Sequence, residues 1–474
     1  MYGISIDARS GLSSTRQLCD QLRGKIESGE LPAGTKLPPT RGLSKEWGIA
    51  RNIVIEVYEQ LTAEGYLDGR VGSGTYVAEG AYSLARQPAS SADTLPSTGE
   101  RSVDPVGADV VDFSTGIPDL RLFPRKIWAK TMRAVVEEAS PELFGYGDIQ
   151  GDPSLRAVLC DYLYKMKGIH CPVERMVIVS GSSEGFLLAA KSLSPNYRSV
   201  YVEDPTIEMT REIFRQMNYS TIPVEVDEHG MNLDALRNFE PGHLALLTPS
   251  HQFPTGSLLS IQRRQKAVRM AAEAGTYLIE DDYDGEFRLK GIPVPSLYSL
   301  DPARVLYVGT FSKTLSPGLR IGFVIVPPDL LEAVIATKNE LHLRTPLLMQ
   351  RALSRFIADG HLARHVYEMK KAYKKRRTVL IERMKFYFKD DIRIAGDHSG
   401  MHLHVEFLPE SYRNLPWDEA IRFGFRADTI EGYRMERRAD TGSSIVLGYG
   451  SLDEKGIERG AGRLRDFVSY YVSI

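Results

Sequence analysis

Cysteine is scarce in this 474-residue chain, with Cys19, Cys160 and Cys171 the only three. An odd number, so widely spaced, excludes a disulfide-stapled scaffold and offers no metal-ligand spacing, so reduced structural thiols and no metal are expected. Long apolar runs are missing too. No stretch reaches the length of a membrane-spanning helix, and the opening residues MYGISIDARSGLSS lack the apolar core of a signal peptide. A cytoplasmic protein without membrane association is therefore expected. Net charge is nearly absent: 59 Lys and Arg against 61 Asp and Glu leave −2, so any surface facing nucleic acid must be local. What remains is the composition of a folded globular chain, 42% hydrophobic and 25% charged, and its length suggests about three domains.

In the first stretch, Leu18, Leu22 and Ile26 step by four and predict an amphipathic helix that ends in the turn Gly29-Glu30-Leu31-Pro32-Ala33-Gly34. A short helix follows around Arg41 to Trp47. In a third, Val54, Val57, Tyr58 and Leu61 share one face and Glu64-Gly65 ends it. Tyr66–Arg70 and Thr75–Val77 read as strands around the glycine-rich tip Val71-Gly72-Ser73-Gly74. Three helices and a hairpin make a winged helix-turn-helix. Arg51 and Asn52, at the start of the third helix, carry the donors and acceptors that read base edges in a major groove. Lys36, Arg41 and Lys45 could grip phosphates, and Gly72 to Thr75 could bring backbone amides to the DNA. A small helical interaction module with solvated charges would show the same helix pattern.

After Val77 the composition shifts to ARQPASSADTLPSTGE and similar residues with no apolar period. Residues 78–108 are expected to form a flexible tether, able to span several tens of ångströms at about 3 Å per residue. Residues 1–77 would then be the DNA-binding domain and 109–474 a large domain, with a smaller α+β subdomain from roughly 340 onward.

Past Val110 short unalternated apolar runs recur: Met176–Val179, Val200–Val202, Leu244–Leu247, Tyr277–Ile279, Val305–Val308 and Phe323–Val326. Such runs suit strands buried on both faces, which makes the fold class α/β with a mainly parallel central sheet. Five polar motifs each follow one of these runs: Ser180-Gly181-Ser182-Ser183, Glu203-Asp204-Pro205, Thr248 to Gln252, Glu280-Asp281-Asp282-Tyr283 and Thr310-Phe311-Ser312-Lys313. The C-terminal strand ends of an open α/β sheet converge on the ligand crevice, so five motifs point at one site. Lys313 has the most specific surroundings. Thr310 and Ser312 can ligate a phosphate, Arg320 can neutralise it with a two-pronged contact, and a desolvated lysine amine can lose its proton and form a Schiff base. Ser182 and Ser183 open a helix whose amides could hold the same phosphate. Asp281 could sit beside a pyridine nitrogen and keep the ring cationic, with Asp282 as a rival, and Tyr283 could donate to a phenolate oxygen.

The run GELPAGTKLPPTRGLSKEWGIARNIVIEVYEQLTAEGYLDGRVGSGTYV resembles the GntR-type winged-helix signature. That resemblance implies DNA contacts at Arg41, Arg51, Asn52, Ile53, Gly72 and Gly74, with Ala50 standing where relatives often have serine or threonine. GTFSKTLSPGLRIGF resembles the lysine motif of fold type I pyridoxal 5'-phosphate (PLP) enzymes. With TPSHQFPTG and IEDDYDGEF, the whole chain is similar to the MocR/GabR family of bacterial transcriptional regulators. This implies PLP bound at Lys313 and favours Asp281 over Asp282 for the ring nitrogen. It further implies that Tyr146 of GYGDIQGDPSLR reaches the phosphate of a neighbouring subunit, in a head-to-tail domain-swapped homodimer. A double-stranded DNA operator, a nucleoid location when DNA-bound, and a small amino compound or PLP itself as signal are also implied.

Three positions depart from the pattern. Phe253 stands where aminotransferases have the asparagine before Pro-Thr-Gly, leaving His251 or Gln252 as substitutes or a plain loop role. Thr206-Ile207 replaces the Gly-Tyr that brings a stacking tyrosine. Gly442, Ser443 and Ser444 occupy the region of the carboxylate-clamping arginine, leaving Arg211, Arg437 or Arg438 to meet a carboxylate. No catalytic residue is therefore expected, and the aminotransferase-like domain reads as a sensor. The alternative is a working PLP-dependent aminotransferase with an accessory DNA-binding domain.

Overall fold

The computed structural model describes residues 3–7, 10–70, 72–79, 109–236, 238–290, 294–435 and 444–472. The tether expected over 78–108 lies outside these apart from its first two residues, as do Val71, Arg437, Arg438, Gly442 and Ser443. The chain divides into two compact units, Met1–Val103 and Asp104–Ile474.

Unit one holds the helices α1 (Ser14–Glu27), α2 (Thr40–Trp47) and α3 (Arg51–Ala63), then strands β1 (Leu67–Arg70) and β2 (Gly74–Val77) paired antiparallel. The side chain of Ser13 caps α1 by accepting from the Arg16 amide. Leu18, Leu22 and Ile26 of α1 and Val54, Val57, Tyr58 and Leu61 of α3 form the buried seam their spacing predicts. Each such side chain contributes roughly 1.5–3 kcal/mol on burial. Gly65, at φ +81°, turns the chain out of α3 into β1.

Unit two begins with β3 (Val111–Asp112) and continues through α4 (Arg125–Glu137), α5 (Pro153–Lys167), β4 (Met176–Val179), α6 (Ser182–Leu193), β5 (Ser199–Asp204), α7 (Glu208–Gln216), β6 (Ser220–Asp227) and β7 (Gly230–Met231). There follow β8 (His243–Leu247), α8 (Ile261–Ala274), β9 (Leu278–Asp282), α9 (Leu297–Leu300), β10 (Val305–Thr310), β11 (Gly322–Ile325), α10 (Leu331–Glu340) and α11 (Leu347–Ala358). The last third comprises α12 (His361–Phe388), β12 (Ile392–Ala395), β13 (His402–Phe407), β14 (Phe425–Arg426), β15 (Asp428–Thr429), β16 (Ser444–Gly448) and α13 (Glu454–Val472).

The large sheet has the order β4-β11-β10-β9-β8-β5-β6-β7. Only β11 and the short β7 run antiparallel to their neighbours. All residues of β4, β9, β10 and β11 are buried, which explains their continuous apolar or buried-polar composition. A second, antiparallel sheet, β12-β13-β16-β15, carries the smaller subdomain. Where it meets the large sheet the backbones touch: a Cβ added to Gly256 would lie 2.3 Å from the Cα of Gly396. No described helix is long and apolar enough to cross a membrane.

Candidate functional site

Strands β4, β5, β8, β9 and β10 run in one direction, so the residues after them gather at one edge of the sheet. Two carboxylates from β9 illustrate how the strand sorts its side chains. Neighbouring residues of a strand point to opposite faces, and Asp281 and Asp282 go separate ways. Asp282 accepts from Lys167 Nζ at 2.8 Å, from the hydroxyl of Tyr307 and from the amide of Gly285 at 3.0 Å. Burial works against its charge, but Lys167 and these donors hold it below the usual carboxylate range. Asp281 is equally enclosed, and its Oδ1 has no hydrogen-bond partner. Burial first, then Asp282, Glu203 and Asp284, push it up to about 8. The two aspartates thus differ in their partners: Asp282 is paired with Lys167, and Asp281 Oδ1 has no hydrogen-bond partner among the described residues.

Lys313 supplies the facing amine from the loop after β10. Burial lowers its pKa, opposed by the charges of Asp284 and Asp281. Its Nζ donates to the carbonyl of Gly116, a residue outside every motif singled out above. Two other lysines are buried, each with a different occupation. Lys167 is paired with Asp282 and Glu286, and Lys338 donates to the carbonyls of Ile149 at 3.0 Å and Ile178 at 2.6 Å. Lys338 also lies 3.8 Å from Glu184 Oε1, whereas the charges acting on Lys313 are those of Asp284 and Asp281.

Beside it lies a cradle for an anion. Helix α6 starts at Ser182, so Ser182 and Ser183 form its first turn. Its N-cap is Gly181, at φ +100°, with no capping side chain. A Cβ on Gly181 would come within 3.3–3.4 Å of the Arg320 guanidinium, which lies across this helix mouth. Arg320 is exposed, adopts φ +49°, and its guanidinium has no hydrogen-bond or ion-pair partner among the described residues. Thr310 Oγ1 donates to Ser312 Oγ at 3.0 Å and accepts from the Ser312 amide at 3.2 Å, folding the loop that carries Lys313.

The two substitutes for the missing asparagine also separate. Gln252, fully buried, donates through Nε2 to the carbonyls of Pro205 at 2.8 Å and Phe253 at 2.7 Å, while its Oε1 accepts from Thr255. It staples its own loop. His251 instead turns Nδ1 to Asp284 Oδ2 at 2.9 Å and the Tyr283 hydroxyl at 3.1 Å. Phe253 packs edge-on against Tyr283, His402 and Tyr433, a wall without a donor. Asp284, only 1% exposed, is a further acid at this edge, two residues past the end of β9 and just before a short 3-10 turn, Gly285–Phe287.

Other expected residues lie apart. Tyr146 is 87% exposed, with only the Arg344 guanidinium over its ring at 5.9 Å. Thr206 is buried and donates its amide to the Tyr433 carbonyl, and Ile207 precedes α7. Ser444 opens β16, half-buried, at the position of the absent arginine. Arg211 is half-buried with Nε unpartnered.

In unit one, Arg51 and Asn52 are exposed on the first turn of α3, whose N-cap Ala50 provides no side-chain bond. Arg51 Nε donates to Thr40 Oγ1 at 3.3 Å, tying α3 to α2. Ile53 is half-buried against the head's core. Arg41, Lys36 and Lys45 are exposed. In the wing, Arg70 and Lys36 flank the Tyr76 ring at 4.8 and 5.6 Å, and Gly72 and Gly74 take φ +76° and +119°.

Residues 108–420 match the family described as aminotransferase class I and II, and residues 14–77 match the bacterial regulatory proteins of the gntR family. Among curated relatives, the probable rhizopine catabolism regulatory protein MocR of Rhizobium meliloti is 31% identical, over 97% of this chain and 94% of that protein. The pyridoxine biosynthesis transcriptional regulator PdxR of Corynebacterium glutamicum is 30% identical over 98% of each chain. Among solved structures, a multiple substrate aminotransferase from Thermococcus profundus matches with a TM-score of 0.70 and 26% identity, covering 77% of this chain and 93% of that one.

Proposed function

Since the chain belongs to the family of MocR-type bacterial transcriptional regulators, a gntR winged helix joined to an aminotransferase class I and II body, we propose that its first unit grips operator DNA while its second binds PLP and senses a small amino compound or PLP itself. The orphaned Oδ1 of Asp281, buried on the same sheet edge as the Lys313 amine, carries the cofactor assignment. An isolated buried carboxylate is costly unless a cation meets it, and a protonated ring nitrogen is such a cation. The donor set fits as well. Ser182, Ser183, Thr310, Ser312 and Arg320 would hold the phosphate.

When bound, PLP supplies an aldehyde that condenses with primary amines and a ring that withdraws electrons from them. The chain's part is to present and orient. Lys313 offers an amine whose charged form burial disfavours, Asp281 would keep a proton on the ring nitrogen, and the Tyr283 hydroxyl would donate to the phenolate oxygen. Tyr146, standing clear of its own chain, is suited to reach a second copy's phosphate in a head-to-tail homodimer. An effector amine bound in the place of the Lys313 amine would change what the pocket contacts, and regulation would follow only if one arrangement of the two units were thereby favoured.

Sensing is favoured over turnover because Phe253 and Ser444 remove two groups on which efficient amino transfer depends. Purified protein given candidate amino donors and a keto acid is expected to yield no sustained product formation. Many product equivalents per chain would instead make it an enzyme with an accessory DNA-binding unit.

For the DNA-facing unit, Arg51→Ala is expected to weaken operator binding by about 10- to 100-fold, the loss of one base contact worth roughly 1–3 kcal/mol. It should relax sequence preference and leave PLP binding intact. An unchanged footprint would mean that α3 does not enter the groove.

A further inference from the structure

The asparagine that is missing at Phe253 would have been a donor of fixed direction at the cofactor's phenolate edge, and the structure shows what replaces its influence. His251 and Asp284 are each 1% exposed, and Nδ1 of the histidine lies 2.9 Å from Asp284 Oδ2 and 3.1 Å from the Tyr283 hydroxyl. The other ring nitrogen, Nε2, is buried and unpartnered, and it faces the backbone: a Cβ on Gly256 would lie 3.3 Å from it. This contact decides the tautomer. A buried N–H without an acceptor costs more than a bare lone pair against a Cα–H, so the proton sits on Nδ1 and is shared between the carboxylate and the phenol oxygen. With its oxygen receiving that N–H, Tyr283 has one proton of its own to give, which Asp284 accepts here and a ligand's phenolate oxygen would compete for.

Resting on the cofactor reading above, we infer that Asp284 and His251 are positioning residues of the PLP pocket: the carboxylate fixes the imidazole, and the imidazole fixes the direction in which Tyr283 donates. The groups facing this pair come from every side of the pocket. Tyr283 and Asp281 come from the end of β9, Lys313 from the loop after β10 and Tyr449 from the residue after β16, while the ring of His402 of β13 lies tilted 4.6 Å from that of His251. His402 is common to both variants of the pair except where it is itself touched by His251, so a change seen on substituting His251 is read at the Tyr283 hydroxyl, and one on substituting Asp284 combines that effect with its direct charge on Lys313. Asp284 also heads the charges acting on the Lys313 amine, which links the pair to the second reactive edge of the pocket.

The test uses the full chain loaded with PLP and reads the pH midpoint at which its visible absorption band changes colour, together with PLP affinity by fluorescence quenching. Tyr283→Phe and His251→Leu are expected to move the midpoint in one direction by at least about one pH unit, a tenfold change in proton affinity, and the isosteric Asp284→Asn to move it as well, its loss of charge at the Lys313 amine acting in the opposite direction. The double variant His251→Leu/Tyr283→Phe should move it no further than Tyr283→Phe alone, and His251→Gln, which retains a polar group, should recover part of the shift. Midpoints unchanged in both His251→Leu and Asp284→Asn, with the band present, would overturn the inference and leave the cofactor reading standing. Additive shifts in the double variant would also overturn it. A parent protein with no visible band that depends on Lys313 would overturn the cofactor reading and this inference with it.

Discussion

Lys313→Ala is expected to abolish the visible absorption band that the parent protein acquires with PLP, and to abolish every effector response of operator binding while basal operator binding persists. The reason is specific to this amine. Burial lowers its pKa, and it faces Asp281 and Asp284 instead of being consumed by them. Its one described acceptor is the uncharged Gly116 carbonyl. The other two buried lysines provide the contrast. Lys338→Ala strips donors from the carbonyls of Ile149 and Ile178 and should cost about 1–3 kcal/mol of stability without removing the band. Lys167→Ala leaves Asp282 and Glu286 as unpaired buried acids and should cost about 3–5 kcal/mol. A band that survives in Lys313→Ala but disappears in either of the others would assign the cofactor to the wrong lysine.

The second large effect is expected at Asp281. With PLP present, Asp281→Asn removes one partner of a buried charge pair, a loss of about 3–5 kcal/mol, so affinity should fall by at least two orders of magnitude. Without PLP the same substitution should act on stability in the opposite sense, and pH reveals it. The carboxyl of Asp281 is pushed from 3.8 to about 8 by burial and by its acidic neighbours. Between those two values the folded state binds a proton that the unfolded state has released. The stability this contributes is complete below about 3.8, declines as pH rises, and is gone above about 8. Its full extent is on the order of 6 kcal/mol at most, at 1.36 kcal/mol per unit. Cofactor-free protein should therefore melt at a lower temperature at pH 8.5 than at pH 6, and Asp281→Asn should flatten the slope. Some slope remains, because burial likewise pushes Glu203 and Glu280 up to about 7. A melting temperature that rises with pH in the parent would show that Asp281 is not held neutral in the empty pocket.

Much of this site was legible because buried parallel strands announce themselves. Val305–Thr310 and Met176–Val179 have no polar alternation, and in such a sheet whatever follows the strand lies at the ligand edge. The winged helix was equally legible, since Val54, Val57, Tyr58 and Leu61 need no partner beyond one neighbouring helix. Strand β6 was missed for the opposite reason: it contains Pro223, and only Val224 of its eight residues is buried, so its period is faint. Asp284 and the Gly116 carbonyl were beyond reach on other grounds. One is placed by a three-residue turn and the other by a contact 197 residues distant in sequence, and neither leaves a periodic trace. The difference between His251 and Gln252 lay deeper still. Both are polar and adjacent, and only the Pro205 and Phe253 carbonyls determine that Gln252 is spent on its own loop.

Gly400 closes over the His251–Asp284 pair with bare backbone. Its φ is +76°, its amide donates to the Phe287 carbonyl at 3.0 Å, its carbonyl accepts from Tyr449 at 2.7 Å, and a Cβ there would lie 2.0 Å from the imidazole. The roof of this corner therefore belongs to the smaller subdomain and has no side chain to follow the ring if that subdomain swings. A displacement as wide as one water molecule would hydrate the imidazole and give its proton an exit to bulk solvent, so deuterium uptake at the Gly400 amide would register the opening of the protein from the inside.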